Sequence, residues 1–280
     1  MKLTVLVDNN TLIDRYFYGE PAVSYFIEVD RDKKILFDVG YSNAFIKNAQ
    51  KMNIDLLDID FIVLSHGHLD HTWGLIPLLQ LYTEAEIEKI NHRMPTLVAH
   101  PLIFSTRTMN ALKEIGSIVS EDKIANHFKL ELSKDSVRLT ERLVFLGEIE
   151  RKNDFEDKSP IGKIKKEGQL QPDHLMDDSA LAYKSKQGLV VITGCSHAGI
   201  CNIVEYAKKI CEENRVIDII GGFHLLNPSK EQLQGTLNYM KELKPEKVHA
   251  CHCTDLNSKI ALSRTVDLKE VGVGLVLRYP

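Results

Sequence analysis

Three histidines and an aspartate fall within six residues in the run Ser65-His66-Gly67-His68-Leu69-Asp70-His71, directly after the apolar stretch Phe61-Ile62-Val63-Leu64. Imidazole nitrogen and carboxylate oxygen are the donors that Zn²⁺ and related divalent cations take from proteins. Where the chain is extended, side chains alternate, so His66 and His68 project to one side and can reach one ion. Gly67 between them lacks a Cβ, and the backbone can bend there to bring both rings to roughly 2.0–2.1 Å from zinc. Asp70 and His71 follow where the chain turns into a helix expected over Gly74 to Leu81, and they face a second ion beside the first. The expected cofactor is one or two Zn²⁺ ions, and the same donors also admit Mn²⁺ or Fe²⁺.

Further histidines end later strands. Val190 to Thr193 runs into the small-residue turn Gly194-Cys195-Ser196-His197-Ala198-Gly199, which leaves Cys195, Ser196 and His197 at the carboxyl edge of a sheet, where open α/β folds place their sites. The segment Asp218 to His224 repeats the design, and Val248-His249-Ala250-Cys251-His252-Cys253-Thr254 repeats it again. His224 reads either as a pocket group or as a hydrogen-bonded structural histidine. If Val248 to Cys253 is extended, His252 points away from Cys251 and Cys253, and the two thiols read as small buried apolar groups. Asp177 and Asp178, just before a strand at Leu181, are spare carboxylates for the same centre or loop-solvating groups. His92, His100, His127 and His174 lack such a setting and read as surface or packing residues.

The elements that must carry these residues alternate between strand and helix. Strands are predicted at Leu3 to Val7, Val23 to Val29, Ile35 to Val39 and Phe61 to Ser65, with Asp38-Val39-Gly40 as a turn and a helix from Ser42 carrying Phe45, Ala49 and Met52. The second half repeats that order: strands at Leu181 to Lys184 and Leu189 to Thr193, a helix with Ile200, Ile203, Val204, Ala207, Ile210 and Cys211 on one face, and a strand at Ile217 to Ile220. A helix opened by Ser229 and Gln232 in a capping box follows, then strands at Val248 to Cys251 and Val271 to Leu277. Residues 83–146 mix helical and strand signals and are expected to form an inserted subdomain. Residues 148–173, dense in Lys, Glu and Asp, are expected to form a mobile loop.

Composition narrows the class. With 44% hydrophobic and 26% charged residues the chain reads as globular, and no apolar run approaches a membrane span. Five cysteines, an odd number, do not form a disulfide framework, and with no secretory leader evident the expected compartment is the cytoplasm. A net charge of −4 argues against nucleic acid as the partner and leaves room for a small, anionic substrate held by a local positive patch. Nothing marks an oligomeric state.

H-x-H-x-D-H after an apolar strand, preceded by Leu36-Phe37-Asp38-Val39-Gly40, resembles the metallo-β-lactamase superfamily of metal-dependent hydrolases. Together with Gly194-Cys195-Ser196-His197-Ala198-Gly199, Gly221-Gly222-Phe223-His224-Leu225 and His252-Cys253-Thr254, it is similar to the subgroup that includes the dihydropterin-ribofuranosyl-aminobenzene-phosphate synthase of the methanopterin pathway. The resemblance spans most of the chain and is weak between about Thr83 and Asp173. It implies an α/β fold, an αββα sandwich with a dinuclear site at one edge of two packed sheets. His66, His68 and His197 would hold the first ion and Asp70, His71 and His252 the second, while Asp70 and His224 would serve catalysis. The chain departs from the pattern where many members carry a metal-bridging aspartate, since Gly194-Cys195 stands there; either Cys195 substitutes, or the bridge is missing. Trp73 and Asp255 also occupy places where glycine is usual.

The chemistry implied is that of a hydroxide generated on the metal at neutral pH and attacking an ester-like or phosphoester substrate. In the synthase, the same cations would instead neutralise a pyrophosphate leaving group while an arylamine-linked substrate attacks. Two rivals differ in class. Gly194 to Ala198 lies one residue from a G-x-S-x-G nucleophile elbow, with Asp218 and His224 or His249 following in serine-hydrolase order, but a Ser196 nucleophile leaves Ser65 to His71 unexplained. A non-enzymatic metal-binding or sensor protein would show no turnover when loaded with metal.

Overall fold

The computed structural model describes residues 1–30 and 32–280. Strands covered on both faces carry near-continuous apolar sequence, and Leu189–Thr193 and Val216–Gly222 are buried at every position. They belong to a six-stranded sheet in the order Lys247–Cys251, Val216–Gly222, Leu189–Thr193, Ala180–Lys184, Leu143–Phe145, Val137–Arg138. A seven-stranded sheet runs in the order Val276–Arg278, Lys2–Val7, Ser24–Val29, Lys33–Phe37, Phe61–Val63, Thr96–Ala99, Lys129–Leu132. Each sheet has an antiparallel part and a parallel part, and the parallel part supplies the strands that end in histidine.

The two sheets pack face to face. Leu3, Tyr25, Ile27 and Phe37 from one meet Phe145, Tyr183, Val190 and Ile220 from the other, each fully buried side chain contributing roughly 1.5–3 kcal/mol. On the outer face of the seven-stranded sheet lie the helices Ala44–Lys51 and Leu75–Ile87, through Phe45, Ala49, Leu75 and Leu78. The other outer face carries Ile200–Cys211, Lys230–Leu243 and Leu256–Ser263, through Ile203, Val204, Ala207, Met240 and Leu262. The layers therefore run helix, sheet, sheet, helix, the αββα order expected.

Several elements differ from the sequence reading. The helix expected over 74–81 extends over Leu75–Ile87, after a separate single turn at Leu69–Thr72. Only Val276–Arg278 of the stretch 271–277 and beyond pairs as a strand. Leu256–Ser263 is a helix that the sequence reading did not contain; Asp255 caps it by accepting from Ser258 N at 2.7 Å. Residues 83–146 are shared out rather than set apart: Thr96–Ala99 and Lys129–Leu132 extend the seven-stranded sheet, and Leu143–Phe145 enters the other. Within 148–173, Lys163–Lys166 and Gln169–Pro172 form a hairpin that pairs with Arg107–Thr108 as a third, small sheet. Among the described residues no helix is long and apolar enough to cross a membrane.

Candidate metal centre

Five loops at the carboxyl ends of strands meet at one edge of the sandwich: those after Lys33–Phe37, Phe61–Val63, Leu189–Thr193, Val216–Gly222 and Lys247–Cys251. They bring two sets of donors together. In the first, His66 Nε2 lies 3.1 Å from His68 Nδ1 and 3.2 Å from His197 Nε2. In the second, His71 Nε2 lies 3.5 Å from Asp70 Oδ2 and 3.3 Å from Cys195 Sγ, and His252 Nε2 lies 3.3 Å from Asp70 Oδ2 and 3.1 Å from Cys195 Sγ. Cys195 Sγ also lies within 4.8 Å of the donor atoms of His66 and His197, so the thiol stands between the two sets. Tetrahedral bonds of roughly 2.0–2.1 Å separate neighbouring nitrogens by about 3.3–3.4 Å. His66 Nε2 stands near that spacing from each of the other two imidazoles, while the donors mutually close enough to share one cation are His66, Cys195 and His197 in one group and Asp70, His71, Cys195 and His252 in the other.

The rings are aimed by their neighbours. Asp38 Oδ2 lies 2.7 Å from His71 Nδ1 and accepts from Ser65 Oγ at 2.8 Å, while Ser65 Oγ is 3.0 Å from His66 Nδ1. One buried carboxylate thus holds a proton on the outer nitrogen of His71 directly and of His66 through Ser65, so that His66 Nε2 faces inward as a lone pair and His71 Nε2 would do so once its second proton is lost. The sequence reading took Asp38 for a turn residue; its left-handed backbone (φ 54°) is that turn, and its carboxylate is the anchor. His252, at φ 51°, leaves the strand after Cys251, so alternation no longer decides where its ring points. Asp8 Oδ1 accepts from its N–H at 3.0 Å, and Asn9 Nδ2 donates to its carbonyl at 2.8 Å.

Electrostatics follow burial and partners. Burial holds His68 down at about 4, and burial with neighbouring imidazoles lowers His66 and His197 well below the ordinary imidazole range. All three are neutral at pH 7, as ligation requires. Burial opposes charge on Asp70 and His71 too, but there the pair wins: His71 and His252 hold the Asp70 carboxyl well below its usual range, and Asp70 and Asp38 raise His71. An unfolded imidazole titrates near 6.5 and folded His68 near 4, so the unfolded chain binds the extra proton throughout that window. The stability of the metal-free protein is expected to fall as pH is lowered from 6.5 to 4, by roughly 3 kcal/mol for His68 alone. Denaturant midpoints of chelator-treated protein at pH 7 and pH 4.5 measure this, and a midpoint unchanged or higher at pH 4.5 contradicts a neutral cluster.

Other expected residues fall outside the two sets. Asp177 Oδ2 accepts from Gly67 N at 2.8 Å and Asp178 Oδ2 from Ala198 N at 2.9 Å, so both carboxylates support the metal loops from behind. His224 lies beside the centre, its ring 4.3 Å from that of His197, and with His197, Lys158, His174 and Gln232 it lines a cavity of about 280 Å³. A larger cavity of about 790 Å³, between Asp30, Arg142 and Pro280, has no histidine or cysteine in its wall. Trp73 stacks on Tyr41 at 5.2 Å and donates to Gly116 O at 2.7 Å. Cys251 is buried against Tyr25 Oη at 3.3 Å, whereas Cys253 Sγ accepts from His224 N at 3.2 Å and so ties two of the loops.

The serine-nucleophile reading is overturned. Ser196 is buried and donates to Gly222 O at 2.6 Å, with Thr193 Oγ1 at 2.9 Å. Asp218 is engaged by His249 Nδ1 and Tyr279 Oη, both at 2.8 Å, so no serine, acid, histidine relay assembles. Arg107 was missed altogether. It is fully buried, and a Cβ on Gly67 would stand 2.0 Å from its Nη1, which gives Gly67 a steric reason beyond the bend expected of it.

A family model described as the metallo-beta-lactamase superfamily matches residues 18–252. The chain belongs to the metallo-beta-lactamase superfamily. This superfamily member is 34% identical to the 7,8-dihydropterin-6-methyl-4-(beta-D-ribofuranosyl)-aminobenzene-5'-phosphate synthase of Methanocaldococcus jannaschii, over 100% of its own length and 97% of that protein's. An uncharacterized protein of the same organism is 28% identical over 98% of this chain and 99% of its own. Among solved structures, a metal-dependent hydrolase of the beta-lactamase superfamily superposes with a TM-score of 0.82 at 27% identity, covering 99% of this chain and 98% of that one.

Proposed function

We propose that this superfamily member is a metal-dependent enzyme acting on a small phosphate-bearing molecule, and that its reaction is a pterin-type transfer. The observation that carries the reading is the end-to-end similarity to the synthase, supported by two adjoining donor sets beside a cavity that contains a lysine and further histidines. His66, His68 and His197 would hold one ion, and Asp70, His71, Cys195 and His252 a second. When bound, the ions supply the positive charge that stabilises a departing diphosphate or polarises an ester oxygen.

The chain's own groups do the rest. The product in the relative's name joins a dihydropterin methyl carbon to an aminobenzene that bears a ribofuranosyl phosphate. In such a step a carbon–nitrogen bond forms, the carbon–oxygen bond to diphosphate breaks, and the arylamine loses a proton. Asp70, with Oδ2 turned to His71 and His252, keeps Oδ1 to orient the attacking amine. His224, whose Nδ1 has no hydrogen-bond partner among the described residues, is the group beside His197 for the leaving phosphate. Lys158, on the cavity wall and paired with Glu231 at 2.9 Å, would have to exchange that exposed partner to add charge for a phosphate end. Its five unpaired thiols suit a reducing compartment, and the cytoplasm is the location we assign.

A second reading, hydrolysis, is favoured by the likeness to the metal-dependent hydrolase, with water in place of the amine. Protein reconstituted with Zn²⁺ or Mn²⁺ is to be incubated with a 6-hydroxymethyl-dihydropterin diphosphate and a 4-(β-D-ribofuranosyl)aminobenzene 5'-phosphate, and the products weighed by mass spectrometry. Coupled product with equimolar diphosphate is the expected result. Release of the hydroxymethyl pterin without coupling overturns transfer in favour of hydrolysis. No turnover here or on a panel of phosphodiesters, phosphomonoesters, thioesters and lactams overturns the enzyme reading and leaves a metal-binding or sensor protein.

A further inference from the structure

The two loops that complete the three-histidine set belong to different sheets. His66 and His68 follow Phe61–Val63 of the seven-stranded sheet, and His197 follows Leu189–Thr193 of the six-stranded one. Their spacing is fixed where residues 177–179 pass between them. Asp177 Oδ2 accepts from Gly67 N at 2.8 Å, Ser179 N donates to Ser65 O at 2.9 Å, and Asp178 Oδ2 accepts from Ala198 N at 2.9 Å. Neighbouring carboxylates thus hold one loop each, and both are fully buried. Two adjacent buried carboxylates are costly unless compensated. Compensation comes from the small third sheet: Arg107 Nη2 lies 2.7 Å from Asp177 Oδ1, and its Nε donates to Asp173 Oδ2 at 2.8 Å. The same guanidinium rests on the bare Cα of Gly67, between the two histidines.

We propose that Asp177 and Asp178, backed by Arg107, form a clamp that sets the separation of the His66–His68 loop from the His197 loop, and so the affinity of the three-histidine set for its cation. The inference rests on the metal reading above and adds positioning residues to it. Asp70, His71, Cys195 and His252 make no contact with either carboxylate at hydrogen-bond distance, so the clamp bears on the second set only indirectly, through the loops the two sets share.

Chelator-stripped protein titrated with Co²⁺ separates the two sets in backgrounds that keep one of them, because Cys195 stands between both: His68→Ala keeps the second set, where the thiolate-to-cobalt absorption reports loading, and His252→Ala keeps the first, where the visible ligand-field bands do. Asp178→Ala and Asp177→Asn are expected to weaken the first site roughly 10- to 100-fold while the thiolate band titrates as in the wild type. Asp178→Asn keeps an oxygen acceptor for Ala198 N and is expected to restore binding to within about threefold of the wild type, well short of the loss that follows removal of such a partner. If Asp178→Ala does not fold, Asp177→Asn, an exchange of one atom, carries the same comparison. Unchanged affinity at the first site in the folded variants overturns the clamp, as does equal weakening of both sites, which marks general loosening. Wild-type protein that takes up no Co²⁺, or shows no thiolate band, overturns the ligand assignment instead.

Discussion

His66→Ala and His68→Ala are each expected to leave a folded protein that has lost stoichiometric metal at the first site and its turnover with it. His66 Nε2 is the atom the set is built around, 3.1 Å from His68 and 3.2 Å from His197, and the three rings are at most 8% exposed. Removing one of three neutral imidazoles leaves two histidines beside the Cys195 thiol, which the second set also draws on, a poorer set than the three dedicated ligands that catalytic zinc sites keep. Activity is expected to fall by about three orders of magnitude, the scale on which loss of electrostatic stabilisation at a reacting centre is felt. The fold is expected to survive, because His66 sits at the sheet edge and the strand Phe61–Val63 behind it is held by Ile35–Phe37 on one side and Thr96–Val98 on the other. Elemental analysis of the purified variants beside a thermal melt is the check. Full metal content in both would overturn the ligand set.

Much of this centre is legible in the sequence, for a physical reason. Donors that converge on one edge are delivered by short turns after buried strands, so H-x-H-x-D-H, Cys195-Ser196-His197 and His252 stand out against apolar runs such as Val190 to Ile192. The groups that orient them stand out less. Asp38 lies at a turn of ordinary composition, and its role depends on a serine 27 residues away. Arg107 sits on a two-residue strand, too short to show period-2 alternation, and meets Asp173 and Asp177 only once the chain has folded back. Asp177 and Asp178 carry the right atoms for ligands, and nothing local reveals that backbone N–H groups occupy them first. The same limit explains the middle of the chain: strands such as Lys129–Leu132 are half exposed, and no buried pattern announces that they join a sheet. Leu256–Ser263 is hard to see in the sequence because Asp255 reads as a departure from glycine and not as a helix cap.

Asp38→Asn is expected to damage both donor sets at once, although Asp38 belongs to neither. Its Oδ1 accepts from Ser65 N at 2.7 Å, and its Oδ2 faces Ser65 Oγ and His71 Nδ1. All three neighbours donate, and a carboxylate answers all three because it only accepts. An amide cannot: wherever its NH₂ is placed it opposes a donor, either Ser65 N–H or the pair on the other oxygen. Turning the NH₂ toward His71 drives that ring to the tautomer with Nε2 protonated, which removes the lone pair facing Asp70 and Cys195. Turning Ser65 Oγ instead withdraws the acceptor from His66 Nδ1. Metal affinity at each set is expected to fall roughly 10- to 100-fold, the range found when partners behind metal-bound histidines are removed. Asp38→Ala is expected to be worse, since it leaves buried donors unpaired at about 1–3 kcal/mol each and places alanine at a positive φ. Competition with a chelator of known zinc affinity measures the first loss, and a denaturant midpoint measures the second. Loss confined to the second set would mean that the Ser65 link to His66 does not matter. Wild-type affinity at both sets would mean that the imidazoles are aimed by packing alone.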